Sequence, residues 1–127
     1  MNIPAEIFRT YDIRPDSGGA GQWRGGVGQI VTIEALRDNL TVRVGGADRL
    51  RFPPWGVRGG KPGRPAEIVI DRGTRKEKRV GNLDKIELRR GQTITLLTPG
   101  AAGYGDPRLR DADAIRLDVE RGFVTRE

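Results

Sequence analysis

A chain of 127 residues with a net charge of +6 is near the modal size of one domain and buries roughly two-thirds of the surface its unfolded form exposes. It has no cysteine and no histidine, which excludes disulfides, Cys- or His-ligated zinc, a cysteine nucleophile and a histidine general base, and leaves Ser17 without a triad. Aromatic residues make up 6%, so the core has to be aliphatic, and no apolar run approaches the ~20 residues of a membrane span.

The first predicted element is a strand, where Ile7, Arg9, Tyr11 and Ile13 alternate with Phe8, Thr10 and Asp12, ended by Pro15. The early acid and lack of an apolar stretch at the N-terminus argue against a secretory signal, and with the absence of cysteine they lead us to expect a cytoplasmic protein. A glycine loop follows, DSGGAGQWRGGVG from Asp16 to Gly28, in which Trp23 is read as a plug packed under its own loop. Val27 to Leu36 is β-branched and reads as a second strand. Arg37-Asp38-Asn39 turns the chain, and Leu40, Val42 and Val44 alternate with Thr41 and Arg43. This is the clearest period-two pattern in the chain and predicts a hairpin with the second strand.

A second glycine loop, PPWGVRGGKPG from Pro53 to Gly63, has a stiff diproline entry and a Gly-Gly reversal. Ile68 to Ile70 is a short strand, Asp71-Arg72-Gly73-Thr74 a turn, and RKEKRV from Arg75 to Val80 the returning arm. That arm is read as an edge strand guarded by its bases, with phosphate binding as the alternative. Ile86 and Leu88 mark another strand, Arg90-Gly91 a turn, and Gln92 to Thr98 a further strand. The third glycine loop, TPGAAGYGDP from Thr98 to Pro107, comes next. One helix closes the chain: Asp111 caps it, Asp113 sits in its first turn, Ala112, Ile115 and Val119 form its apolar face, and Gly122 stops it.

The expected fold class is mainly β: a single barrel- or sandwich-like domain over residues 1–127, with long glycine-rich loops and one short C-terminal helix. The loops are not nucleotide loops. Lys61 follows Gly60 but precedes Pro62, and Gly19-Ala20-Gly21 is followed by Arg24 where a glycine is required. Asp16, Asp48, Asp106 and Asp111 are read as turn formers rather than metal ligands. The bases are dispersed, so we expect no nucleic-acid partner and no membrane partner.

Taken in order, DSGGAGQWRGGVG, Asp48-Arg49 with PPWGVRGGKPG, TPGAAGYGDP, and Arg110-Asp111 with Asp118-Val119, Gly122 and Val124-Thr125 resemble the C-terminal region of the hydantoinase B family. That family includes oxoprolinase-type hydrolases and the large subunits of acetone and acetophenone carboxylases. The resemblance implies a non-catalytic small subunit, with no catalytic residue and no metal of its own, in a hetero-oligomer with hydantoinase A-type and hydantoinase B-type subunits. The favoured relative is the acetophenone-type carboxylase, which joins a ketone to bicarbonate. The alternatives are an ATP-dependent hydantoinase- or oxoprolinase-type amidohydrolase, or a free-standing basic binding module. ATP, bicarbonate and a divalent metal are implied for the partner subunits and no cofactor for this chain.

Candidate contacts to a partner or substrate channel are Asp16, Arg24, Asp48, Arg49, Trp55, Gly100, Gly103, Tyr104 and Asp106. Arg24, Trp55, Tyr104 and Asp106 are the foremost of these, with packing of the loops as the competing role. The family's third loop usually carries four successive glycines. Here Ala101 and Ala102 take the middle pair, which is expected to narrow any close backbone approach there.

Overall fold

The computed structural model describes residues 6–43, 53–80 and 85–125. It is a sheet-dominated, mainly β domain with a single short C-terminal helix. The strands are β1 (Glu6–Arg14), β2 (Gly28–Ala35), β3 (Leu40–Arg43), β4 (Glu67–Ile70), β5 (Lys78–Val80), β6 (Lys85–Leu88) and β7 (Thr93–Leu97), and the helix α1 is Ala112–Glu120. Five strands form one antiparallel sheet in the order β1-β2-β7-β4-β5, and β3 pairs with β6 in a second, two-stranded sheet. The large sheet does not close into a barrel, because β1 and β5 remain its edges.

The two sheets face each other across an aliphatic core, as a sandwich requires. Ala35, Ile68, Val80 and Ile94 from the large sheet pack with Ile86 and Leu88 of β6, and Ile33, Ile70, Leu40 and Val42 complete the cluster. Each valine, leucine or isoleucine that is fully buried there stabilises the fold by about 1.5–3 kcal/mol. The alternation that marks these strands also fixes register. Ile70 and Ile33 lie opposite Ile94, and Ile68 lies opposite Val80, so a slip of one residue would turn the whole set away from the core.

The hairpin expected between β2 and β3 is not formed. β2 already has β1 on one edge and β7 on the other, and a strand has only two edges. The chain therefore leaves the sheet at Asn39, whose φ is 59°, and β3 joins β6 instead, with Leu40 opposite Leu88 and Val42 opposite Ile86. The hairpin expected between β4 and the basic arm is present, and its arm β5 is an edge strand.

The terminal helix has the expected caps. Asp111 accepts from the Asp113 N–H, and Gly122 sits at φ 76°. Its docking differs from expectation. Ala112 is exposed, Ile115 and Val119 are only half-buried, and the buried position of the helix is Asp118. An ionic anchor, described below, takes the place of an apolar stripe.

Candidate functional site

Antiparallel pairing brings the end of β1, the start of β2, the end of β7 and the start of β4 to one end of the large sheet. The three glycine loops leave from there and are stitched together by their backbones. The first and third loops exchange both hydrogen bonds between Trp23 and Tyr104, each 2.9 Å, and Ala101 accepts from the Gly19 N–H at 2.8 Å. The second loop joins the third through Gly103 N–H to the Lys61 carbonyl (2.9 Å) and Gly105 N–H to the Val57 carbonyl (2.9 Å). Lys61 N–H donates to the Ala20 carbonyl of the first loop at 2.7 Å. Backbone groups that no ladder strand satisfies are thereby paired with one another.

The approach is close enough to forbid side chains at two of the candidate positions. A Cβ at Gly100 would run into the Ser17 carbonyl, and one at Gly103 into the Ala20 carbonyl. Ala101 is exposed and Ala102 half-buried, so the two alanines stand where the stack has room. The narrowing expected of them does not arise between the loops. Ala101 already uses its N–H on the Gly26 carbonyl and accepts from the Gly19 N–H with its own carbonyl, which leaves its one donor unavailable to a ligand.

Ser17 starts the first loop, fully buried. Its hydroxyl donates to the Arg14 carbonyl at 2.6 Å and accepts from the Gly28 N–H at 2.8 Å. Arg24 is engaged within the chain. Its Nε donates to Asp118 Oδ2 at 2.7 Å. Arg110 grips the same carboxylate through Nε and Nη2, each at 3.1 Å, and reaches the Gln22 carbonyl with Nη1 at 2.9 Å. This cluster clamps α1 to the first loop. The sequence signal for it was an aspartate set three residues after Ile115, on the face of the helix read as apolar.

Asp16 and Asp106 are likewise engaged within the chain. Asp16, at φ 61°, accepts from the hydroxyl (2.7 Å) and N–H (2.9 Å) of Thr125. Those two bonds, the hydroxyl first, hold its carboxyl below the usual range. Asp106 caps the 3-10 turn Pro107–Leu109 by accepting from Arg108 N–H, and pairs with the Arg108 guanidinium at 2.7 Å. The Arg108 bonds lower it to about 2.

The aromatics do the opposite of what the glycine context predicts. Trp23 is 63% exposed, Trp55 75% and Tyr104 47%, so Trp23 is no plug. The interior of the loops is filled by backbone at van der Waals distance, and no indole fits there. Trp23 and Val57 both bridge to Tyr104, which gathers apolar side chains on the outside of the stack. Asp48 and Arg49 lie outside the described residues. Among the described residues no group of three or more acidic side chains is placed to hold a metal ion, and no helix is long and apolar enough to cross a membrane.

Residues 3–107 match the hydantoinase B/oxoprolinase family. The chain belongs to that family. The B-type chain of a putative D-/L-hydantoinase from a Pseudomonas strain is 32% identical over 99% of this chain and 21% of its own length. The crystal structure of the ATP-dependent caprolactamase from Pseudomonas jessenii superposes on 94% of this chain with a TM-score of 0.82 and 28% identity, covering 21% of that protein. Nucleotide-free acetone carboxylase has the same fold over 94% of this chain, with a TM-score of 0.71 at 18% identity and 20% of its own length covered. The chain thus spans about a fifth of the length of these three relatives. The family match takes in all three glycine loops and reaches as far as Pro107 at their end.

Proposed function

We propose that this chain is a non-catalytic component of the hydantoinase B-type half of a cytoplasmic, ATP-dependent enzyme that opens a cyclic amide. It would work beside a hydantoinase A-type subunit, with ATP and a divalent metal handled by the partner chains. The observation that carries this reading is the likeness to the caprolactamase along nearly the whole chain, at one-fifth of that protein's length. The surface agrees with a part of a larger body. β1 is exposed on both faces from Glu6 to Asp12, with Phe8 and Tyr11 outward, and apolar surface of this kind marks an interface. Asp16, Arg24 and Asp106 hold the loops and the helix in place, whereas Trp55 and Tyr104 are free to meet a partner.

A second reading, a ketone carboxylase of the acetone or acetophenone type using bicarbonate, is favoured by the acetone carboxylase fold. Both readings are tested by tagging the chain in its host and taking a native mass spectrum of what is purified with it. ATP hydrolysis by that assembly is then screened with lactams, hydantoins and 5-oxoproline, and with ketones plus bicarbonate. The amide reading expects large partner chains and amide-dependent hydrolysis. Ketone-dependent hydrolysis would replace it with the carboxylase reading, and a folded monomer with no companions would overturn both in favour of a free-standing basic module.

A further inference from the structure

On the face of the large sheet away from the core, a cavity of about 230 Å³ opens between β1, β2, β7, β4 and β5. Val69 and Leu97 belong to its floor, and its charged lining is Arg14, Arg64, Arg72 and Arg79 with Glu67 and Glu77. Glu67 is shared by three guanidiniums, Arg79 at 3.0 Å, Arg14 at 3.5 Å and Arg64 at 3.8 Å. Glu77 accepts from the Gly73 N–H. Arg72 has no hydrogen bond or ion pair to any described residue.

Arg14 is the decisive side chain, because it is 2% exposed. Its Nη1 donates to the carbonyls of Pro65 and Thr98, both at 2.8 Å. Its Nη2 lies 3.5 Å from Glu67 Oε1 without forming a hydrogen bond, and its Nε has no acceptor among the described residues. A buried donor left unmade is costly, and one on a charged group more so.

We propose that this cavity is a binding site for a small oxyanion of the phosphate class, received by the Nε and Nη2 edge of Arg14 and by Arg72 and Arg79. A guanidinium edge presents two parallel N–H groups that match two oxygens of such an ion. The volume lies below the ~300 Å³ at which sites for drug-sized ligands begin, which restricts the occupant to an ion with a few waters. Burial lowers the Arg14 pKa, Glu67 raises it, and Arg64, Arg72 and Arg79 lower it further, as expected where positive charge is in surplus. The site includes Arg79 of the basic arm but none of the glycine-loop candidates, and it does not rest on the proposed enzyme role.

The test is equilibrium dialysis of the full chain, with any chains that accompany it, against labelled inorganic phosphate at an ionic strength fixed by chloride. Arg72→Gln and Glu77→Gln are compared with the wild type. Both positions are exposed, so neither substitution threatens the core. Saturable uptake is expected, weakened about tenfold by Arg72→Gln and strengthened by Glu77→Gln, which removes a competing carboxylate. Absence of saturable uptake in all three proteins, or uptake that neither substitution moves, would overturn the site. Because the readout is binding and the variants are compared directly, a missing amide-dependent activity leaves this result unaffected.

Discussion

The Asp118 carboxylate, on the terminal helix, accepts from the Nε of Arg24 at 2.7 Å across 94 residues of chain. The same carboxylate holds Arg110, so two half-buried guanidiniums depend on one acid. Asp118→Ala leaves both cations crowded and unpaired and is expected to destabilise the fold by about 2–4 kcal/mol. Urea unfolding reads this as a lower midpoint at an unchanged slope. Arg24→Lys keeps the charge and is expected to recover only part of the loss, because the ammonium lacks the fork.

The loop stack predicts a contrast within four residues. Gly103→Ala places a methyl against the Ala20 carbonyl and is expected to cost about 3 kcal/mol, at the upper end of overpacking, since both clashing atoms are backbone. Ala101→Gly restores a glycine where space is already sufficient and costs about 0.5–1 kcal/mol through the added freedom of the unfolded chain. Thermal melts of the two variants give the comparison. Equal losses would remove the steric account.

Acid titration should expose the two aspartates. In both, the folded carboxyl titrates below its ordinary value of 3.8, Asp16 because of Thr125 and Asp106 because of Arg108. Their contribution is therefore complete above that value and is lost as pH falls from it toward the folded pKa, about 2 for Asp106. Carbon-13 titration of the side-chain carboxyls checks the direction. Thr125→Val should move Asp16 upward and leave Asp106 alone, and Arg108→Gln should do the reverse.

Trp23 and Trp55 are the chain's two tryptophans, and both are exposed. The emission of the chain without partners is expected to resemble that of free indole in water and to be fully accessible to a collisional quencher. Binding of a partner over the loops should shift it to the blue and protect it. Trp55→Ser should change the stability of the fold by less than about 0.5 kcal/mol while weakening that association. A blue, protected emission from the chain alone would contradict the exposure of both rings.

How much could be read in advance depended on the range of the interaction. The caps of α1 are local, an aspartate before the helix and a glycine after it, and both were legible. The strands were legible for the same reason, since alternation needs only neighbours. The partner of β3 was not, because it depends on β7 occupying the second edge of β2 from some sixty residues away. The three loops were visible as composition, but composition does not say that backbone would fill their interior and turn Trp23 and Tyr104 outward. Nor does an apolar period reveal a helix anchored by Asp118, since the docking residue is charged. Arg14 was hidden more completely. An arginine at the end of an alternating strand gives no sign that two distant carbonyls will draw it inside.

Those two carbonyls lie 51 and 84 residues from Arg14, and the loops that follow them in space are as far apart in sequence. Such contacts cost entropy to close. The β2–β7 pairing is as distant but is rewarded by apolar burial, whereas a stack of glycine backbone buries little apolar surface and is expected to form late in folding. The loop stack should therefore be largely absent from the folding transition state, with φ-values near zero at Gly100 and Gly103. Damage there would leave the speed of folding almost untouched and appear as faster unfolding. The glycines would then set how long the native chain persists once formed, and the aliphatic sandwich how quickly it is reached.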